Sequence, residues 1–395
     1  MNKIYMDNCV TTRTAPEVLE VMRPYFDEKF WFPSAFVSTG EAANAALAEF
    51  RGTIAKTLNS SGDEIHFTSG GTLANNIAIK GLMGSHSKEG NHIICSLTDY
   101  PDILTNAAYF ENRGFEVSYL EPDEEGFVSA QKLKEAIRPD TILFMTTIVN
   151  HVVGTIQPVL QYREVLEAAG HKIFFHADAG QAYGKMPLDV KALGVDTLSV
   201  SGHKIHGPQG IGALYVKKGT KFTQLIHGVK RADSLQTGGI SIALAAGFAK
   251  AAELTFSDLN ATVSHLRDLS NYLLEKLEAT IGDIELNGPR GEGRACHNIN
   301  VSVDYIEGEA VAVMLDMQGV TVATGSACAS QGLKADYVLM AMGKTHVQSH
   351  GSIKFTLSRY NTREQIDHAV EKLAEIAASL RERSPLYQAI KDREQ

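Results

Sequence analysis

From about residue 60, short β-branched runs alternate with longer stretches whose apolar positions recur at helical spacing. EIHFTS, NHIICSL, EVSYL, TILFMTT, KIFFHAD and TLSVSG are the strand candidates. Residues 72–82, 101–112, 129–137 and 158–169 between them have helix length and helix-like patterning. Such alternation builds a mostly parallel sheet covered by helices on both faces. IGALYVKK reads as an antiparallel addition to that sheet. The pattern then changes to one long helical stretch over 241–280, followed by strands near INVSV, VTVAT and SIKFTLS alternating with helices. This predicts a large α/β domain over residues 16–259 and a smaller α+β domain built from 1–15 and 260–395.

Composition agrees with two units. A chain of 395 residues, 44% hydrophobic and 21% charged, is long enough for one large core and a satellite. The formal charge of -9 provides no basic face to follow a phosphate backbone, so a small-molecule enzyme is expected rather than a nucleic-acid binder. No run approaches the roughly 18 consecutive apolar residues of a membrane span, and MNKIYMDNCV lacks the layout of a secretory signal. A cytoplasmic location without membrane attachment is expected. Cys9, Cys95, Cys296 and Cys328 lack the spacing of a disulfide framework or a zinc site.

The most informative segment is Ser199-Val200-Ser201-Gly202-His203-Lys204, an apolar run that ends in a lysine among small and hydrogen-bonding residues. Alone, that lysine is more simply a solvated surface residue. Upstream, KIFFHADA carries Asp178 at its carboxyl end, where ligands bind in open α/β sheets. An acid there either caps the next helix or pairs with a protonated pyridine nitrogen and keeps that ring an electron sink. In Thr68-Ser69-Gly70-Gly71-Thr72, a strand turns through two glycines into a helix, which makes a backbone cradle for a phosphate. His203 and His206 lie close together without a third ligand, so they read as ordinary polar histidines and no metal is expected.

With IYMDNCVTT, FTSGGTLANNIAIKG, HADAGQAYGK, SGHKIHGPQGIGALYV, TGSACAS and SIKFTLSRYNT, the chain resembles the class V aminotransferases, and within them the cysteine desulfurases of the NifS/IscS type. The resemblance implies the PLP-dependent transferase (aspartate aminotransferase-like) fold, with a mostly parallel seven-stranded sheet. It also implies pyridoxal 5′-phosphate (PLP) held on Lys204, Asp178 on the pyridine nitrogen and Gln181 on the phenolic oxygen. Thr72, Ser201 and His203 match phosphate-binding positions, and Gly71 belongs to the same cradle. Cys328, in the small-residue stretch TGSAC, matches the nucleophile that takes sulfur from L-cysteine as a persulfide, leaving L-alanine. A homodimer and a sulfur-acceptor protein, in sulfur trafficking such as iron–sulfur cluster assembly, are further implications.

Several positions depart from that pattern, and they gather around the substrate rather than the cofactor. Tyr100 replaces the histidine that stacks on the ring and moves protons, and a phenol with an ordinary pKa of about 10 shuttles protons poorly at neutral pH. His151 stands where an asparagine reaches the cofactor oxygen or substrate, and is either a replacement acid–base group or a satisfied buried imidazole. Lys354 replaces the arginine that grips the substrate carboxylate, keeping the charge but losing the bidentate fork. Phe32-Pro33-Ser34-Ala35-Phe36-Val37 and Gln236-Thr237-Gly238-Gly239 also differ, with Thr237 a substitute for a threonine that reaches the partner subunit's phosphate. Three readings follow: a cysteine desulfurase, a PLP-dependent lyase acting on another amino acid such as selenocysteine, or a PLP-binding paralogue with a regulatory or assembly role.

Overall fold

The computed structural model describes residues 3–33, 36–228, 235, 239–324, 335–384 and 387–388. Among them, 13 strands run in chain order. They are β1 (Ile4–Tyr5), β2 (Ile65–Thr68), β3 (His92–Ser96), β4 (Glu116–Leu120), β5 (Thr141–Thr147), β6 (Phe174–Asp178) and β7 (Thr197–Ser201). β8 (Gly212–Val216), β9 (Ile284–Leu286), β10 (Asn298–Val303), β11 (Val320–Thr321), β12 (Ala323–Thr324) and β13 (Ser352–Thr356) follow.

Seven strands form one sheet in the order β2-β8-β7-β6-β5-β3-β4. Only β8 runs against its neighbours, pairing antiparallel with both β2 and β7, as IGALYVKK predicts. β3, β5, β6, β7 and β8 are buried at every position, which explains their apolar, β-branched runs: helices cover both faces, so no position is left to alternate toward water. The helices between strands are Gly71–His86, Pro101–Glu111, Ala130–Ala136 and Val159–Glu167, within a few residues of the expected spans.

The expectation of one helix over 241–280 is corrected. Ile242–Phe256 and Leu259–Thr280 are separate helices, because Asp258 leaves helical geometry and caps the second by accepting from Ala261 N at 2.9 Å. The break also divides the packing. Phe248 and Ala252 join the core around the large sheet, whereas Leu266, Leu273 and Leu277 join a second core with Met6, Val301, Phe355 and Leu373.

That second core lies on an antiparallel sheet ordered β12-β13-β10-β9. VTVAT is not one strand. Val320–Thr321 pairs in parallel with β1, whereas Ala323–Thr324 pairs with β13, so two different partners divide the segment. The chain after β1 then links this sheet to the large one. Cys9 N donates to Thr356 Oγ1 at 2.8 Å, and Thr12 Oγ1 donates to His203 O at 2.8 Å.

Candidate active site

β2, β5, β6 and β7 end on the same edge of the large sheet, and a cavity of about 210 Å3 opens there. Its wall carries Gly71, Thr72, Tyr100, Asp102, Thr147, Asp178, Gly180, Gln181, Ser201, His203 and Lys204. This is the carboxyl-end crevice where open α/β sheets bind ligands.

One wall is an anion cradle. Gly70 leaves β2 at a φ of 150°, a conformation that suits glycine, and the helix Gly71–His86 starts at once. Gly71 N donates to Ser201 Oγ at 3.0 Å, so a hydroxyl and the positive end of a long helix share one spot. A Cβ at Gly71 would stand 2.8 Å from that hydroxyl.

Asp178 forms the floor at the end of β6. Its Oδ2 accepts from Asn75 Nδ2 at 2.8 Å and its Oδ1 from Gly180 N at 2.7 Å. Burial pushes its pKa up, and these two donors pull it down.

Lys204 closes the turn Gly202–Lys204 after β7. Its Nζ donates to Val10 O at 2.8 Å and to Cys9 O, and the same Cys9 carbonyl accepts from Gln181 Nε2 at 3.0 Å. Burial lowers the lysine's pKa, and nearby Lys354 lowers it further, while Cys9, Asp178 and Asp7 oppose the shift. A partly buried amine with reduced proton affinity is suited to attack a carbonyl.

His203 Nδ1 lies 3.2 Å from Thr11 Oγ1, and burial lowers its pKa to about 4. Tyr100 leads into the helix Pro101–Glu111, and its N–H donates to Thr147 Oγ1 at 2.9 Å. The expected Gly71, Thr72, Tyr100, Asp178, Gln181, Ser201, His203 and Lys204 therefore share one cavity. His151 and Lys354 do not line it. They lie beside it, with His151 packed against Tyr100 and Lys354 Nζ donating to His151 O at 3.2 Å. Cys328 and Thr237 lie outside the described residues.

The Aminotransferase class-V family model matches residues 4–369. The chain belongs to this family. Within it, the chain is 42% identical over 386 residues to a curated protein named Cysteine desulfurase IscS from Dictyoglomus turgidum, covering 98% of this chain and 97% of that one. Among solved structures, it resembles one described as a NifS-like protein, with a TM-score of 0.89, 31% identity and coverage of 95% and 99% of the two chains. It also resembles SspA in complex with cysteine, with a TM-score of 0.80, 32% identity and coverage of 91% and 100%.

Sequence reasoning missed Thr147, Asp102 and Asn75. Thr147 ends TILFMTT, so the strand-end rule that found Asp178 also points to it. Asp102 follows Tyr100 by two residues, and its Oδ2 is buried without a hydrogen-bond partner among the described residues. Asn75 lies one helical turn beyond Gly71, inside a motif already singled out for its glycines.

Proposed function

We propose that this protein is a PLP-dependent cysteine desulfurase, converting L-cysteine to L-alanine with the sulfur passing to Cys328 as a persulfide for an acceptor protein. The observation that carries the reading is the convergence of Lys204, Asp178 and the Gly71–Ser201 cradle on one cavity at the strand ends. The family and the IscS-named relatives support the same activity.

The cavity fits PLP on its own chemistry. The cradle meets the demands of a phosphate, and Asp178 offers an acceptor for a protonated ring nitrogen. Lys204 supplies the amine that would hold the aldehyde carbon. When bound, PLP supplies an electron sink that makes the substrate's α-proton acidic.

The chain's own groups do the rest. Asp178 would hold the proton on the ring nitrogen, and Gln181, anchored by its bond to Cys9 O, would meet the phenolic oxygen. Tyr100 provides an aromatic face on the cavity wall. Lys204 is the group placed to take and return a proton at Cα, and its lowered pKa suits that task. Lys354 supplies positive charge for the substrate carboxylate, and Cys328 takes the sulfur.

The division of the chain into 16–259, against 1–15 with 260–395, is supported by the two separate cores. A homodimer is supported by Phe26, Phe30 and Phe32, which are all more than half exposed within one short segment.

The test combines the visible absorbance of purified protein, in wild type and Lys204→Ala, with alanine and sulfide assays on L-cysteine in wild type and Cys328→Ala. A Lys204-dependent band and Cys328-dependent products support the reading. A band with inert cysteine, or with a dispensable Cys328, would keep the cofactor and move the substrate to another amino acid.

A further inference from the structure

Asp178 ends a line of four polar side chains buried beneath the cavity. Thr197 Oγ1 lies 2.9 Å from His176 Nδ1, His176 Nε2 lies 3.1 Å from Asn75 Oδ1, and Asn75 Nδ2 lies 2.8 Å from Asp178 Oδ2. Thr197, His176 and Asn75 are fully buried. β6 and β7 pair His176 directly with Thr197, and the helix Gly71–His86 brings Asn75 over the strand.

The chemistry of each group fixes the sense of the line. The amide nitrogen of Asn75 faces Asp178 and donates to its Oδ2, the orientation that suits a carboxylate acceptor. Asn75 Oδ1 then needs a donor, which His176 provides only if its proton is on Nε2. His176 Nδ1 is consequently the acceptor, and the Thr197 hydroxyl donates to it. Every bond points its donor toward Asp178. Turning any one group over would bring acceptor against acceptor in a fully buried site, which costs about 1–3 kcal/mol per unsatisfied group. Burial lowers the imidazole's pKa to about 3, against a hydrogen bond to the Thr197 backbone that pulls the other way.

We propose that His176 and Asn75 are positioning residues that keep the Asp178 carboxylate ionised and aimed at the cofactor's ring nitrogen, with His176 locked as its neutral Nε2–H tautomer. The inference rests on the reading of the cavity as a PLP site. Asn75 occupies Oδ2 and Gly180 N occupies Oδ1, so the carboxylate is held from both sides while it lines the cavity. A protonated Asp178 would present a hydroxyl and no longer retain a proton on the ring. Around metal sites, outer partners that orient a ligating side chain are commonly worth about 10- to 100-fold in affinity or activity, and a carboxylate aimed at a cofactor is oriented in the same way.

The experiment uses the full chain with 15N-labelled histidine, loaded with PLP carrying 15N in its ring, and observed by NMR. In wild type, His176 is expected to show one Nε2–H tautomer from about pH 6 to about pH 8, with a protonated ring nitrogen. In Asn75→Leu and His176→Leu, the ring-nitrogen signal is expected to move toward the unprotonated value, with PLP affinity at least about tenfold weaker. His176→Gln keeps an N–H donor for Asn75 and is expected to restore both.

An Nδ1–H tautomer in wild type would overturn the proposal even if no variant folds. So would a fully protonated ring nitrogen in folded Asn75→Leu and His176→Leu proteins. If wild type takes up no PLP, the reading of the cavity fails and this role fails with it, whereas the tautomer signal still reports whether the line of bonds exists.

Discussion

The rings of Tyr100 and His151 meet edge to face, with centroids 4.8 Å apart and planes inclined at 76°. Behind them, His151 Nε2 lies 3.4 Å from the Tyr337 hydroxyl, which donates to Asp99 O at 2.7 Å. Tyr100 faces the cavity, and His151 supports it from outside. His151 Nδ1 is buried without a hydrogen-bond partner among the described residues. Burial, reinforced by Lys354 and Lys204, lowers the His151 pKa to about 3. A neutral imidazole away from the wall packs against the phenol.

Tyr100→His is therefore expected to accelerate the reaction. An imidazole of ordinary pKa, about 6.5, exchanges protons at neutral pH where a phenol does not. The turnover number for L-cysteine should rise at least about tenfold, with a new limb near pH 6.5 in its pH profile. Alanine formation in the steady state measures it. An unchanged profile would show that proton transfer at position 100 does not limit the rate.

The same burial gives His151 a signature in stability. Its folded-state pKa of about 3 lies below the unfolded value of about 6.5. Above pH 6.5 neither state is protonated there, and the folded state has its full advantage. As pH falls from 6.5 toward 3, the unfolded chain takes up a proton that the folded chain refuses, and stability declines. His151→Asn removes this proton, so the stability of wild type relative to the variant should fall by about 2 kcal/mol between pH 8 and pH 5. Urea unfolding at the two pH values checks it. A constant difference would mean that the folded protein protonates His151 freely.

Much of the fold was legible because the large sheet is covered on both faces, and TILFMTT, KIFFHAD and TLSVSG announce buried strands without tertiary information. The break at Asp258 was less legible. Apolar spacing carries through Ser257–Asp258, and only the capping preference of aspartate marks the second start. At the site, Gly71, Asp178 and Lys204 were readable because strand ends and glycine turns have fixed consequences. The Cys9 carbonyl that accepts from both Lys204 and Gln181 was not, because a backbone acceptor leaves no trace in residue type. His151 was assigned to the cofactor by position, whereas its orientation depends on packing among Tyr100, Tyr337 and Lys354.

Ser201→Ala should separate the phosphate cradle from the rest of the site. It removes the hydroxyl that accepts from Gly71 N while leaving the end of β7 intact. Affinity for PLP is expected to fall about tenfold, equivalent to ~1.4 kcal/mol, with affinity for pyridoxal unchanged because it lacks the phosphate. Fluorescence titration with both compounds distinguishes the cases. An equal loss for both would place the effect in the fold rather than the cradle.

Lys354 provides the sharpest test of substrate recognition. It is buried in β13, opposite Asn300 of β10 and Ala323 of β12, so its backbone is fixed by partners on both sides. Its Nζ donates to His151 O, leaving ammonium protons for a substrate carboxylate. Asp7 lies in the field of both Lys354 and Lys204, and these two cations oppose the upward shift that burial imposes on its pKa. Lys354→Met keeps the length and apolar stem but removes the charge. If that charge binds the carboxylate equally in ground and transition states, KM for L-cysteine should rise at least about tenfold while kcat changes little. Lys354→Arg restores a charge and adds the planar fork, so KM should be at or below that of wild type. Steady-state kinetics on the three proteins checks the series. A matching fall in kcat for Lys354→Met, with KM unchanged, would instead place the charge on the chemical step and move carboxylate recognition to another residue.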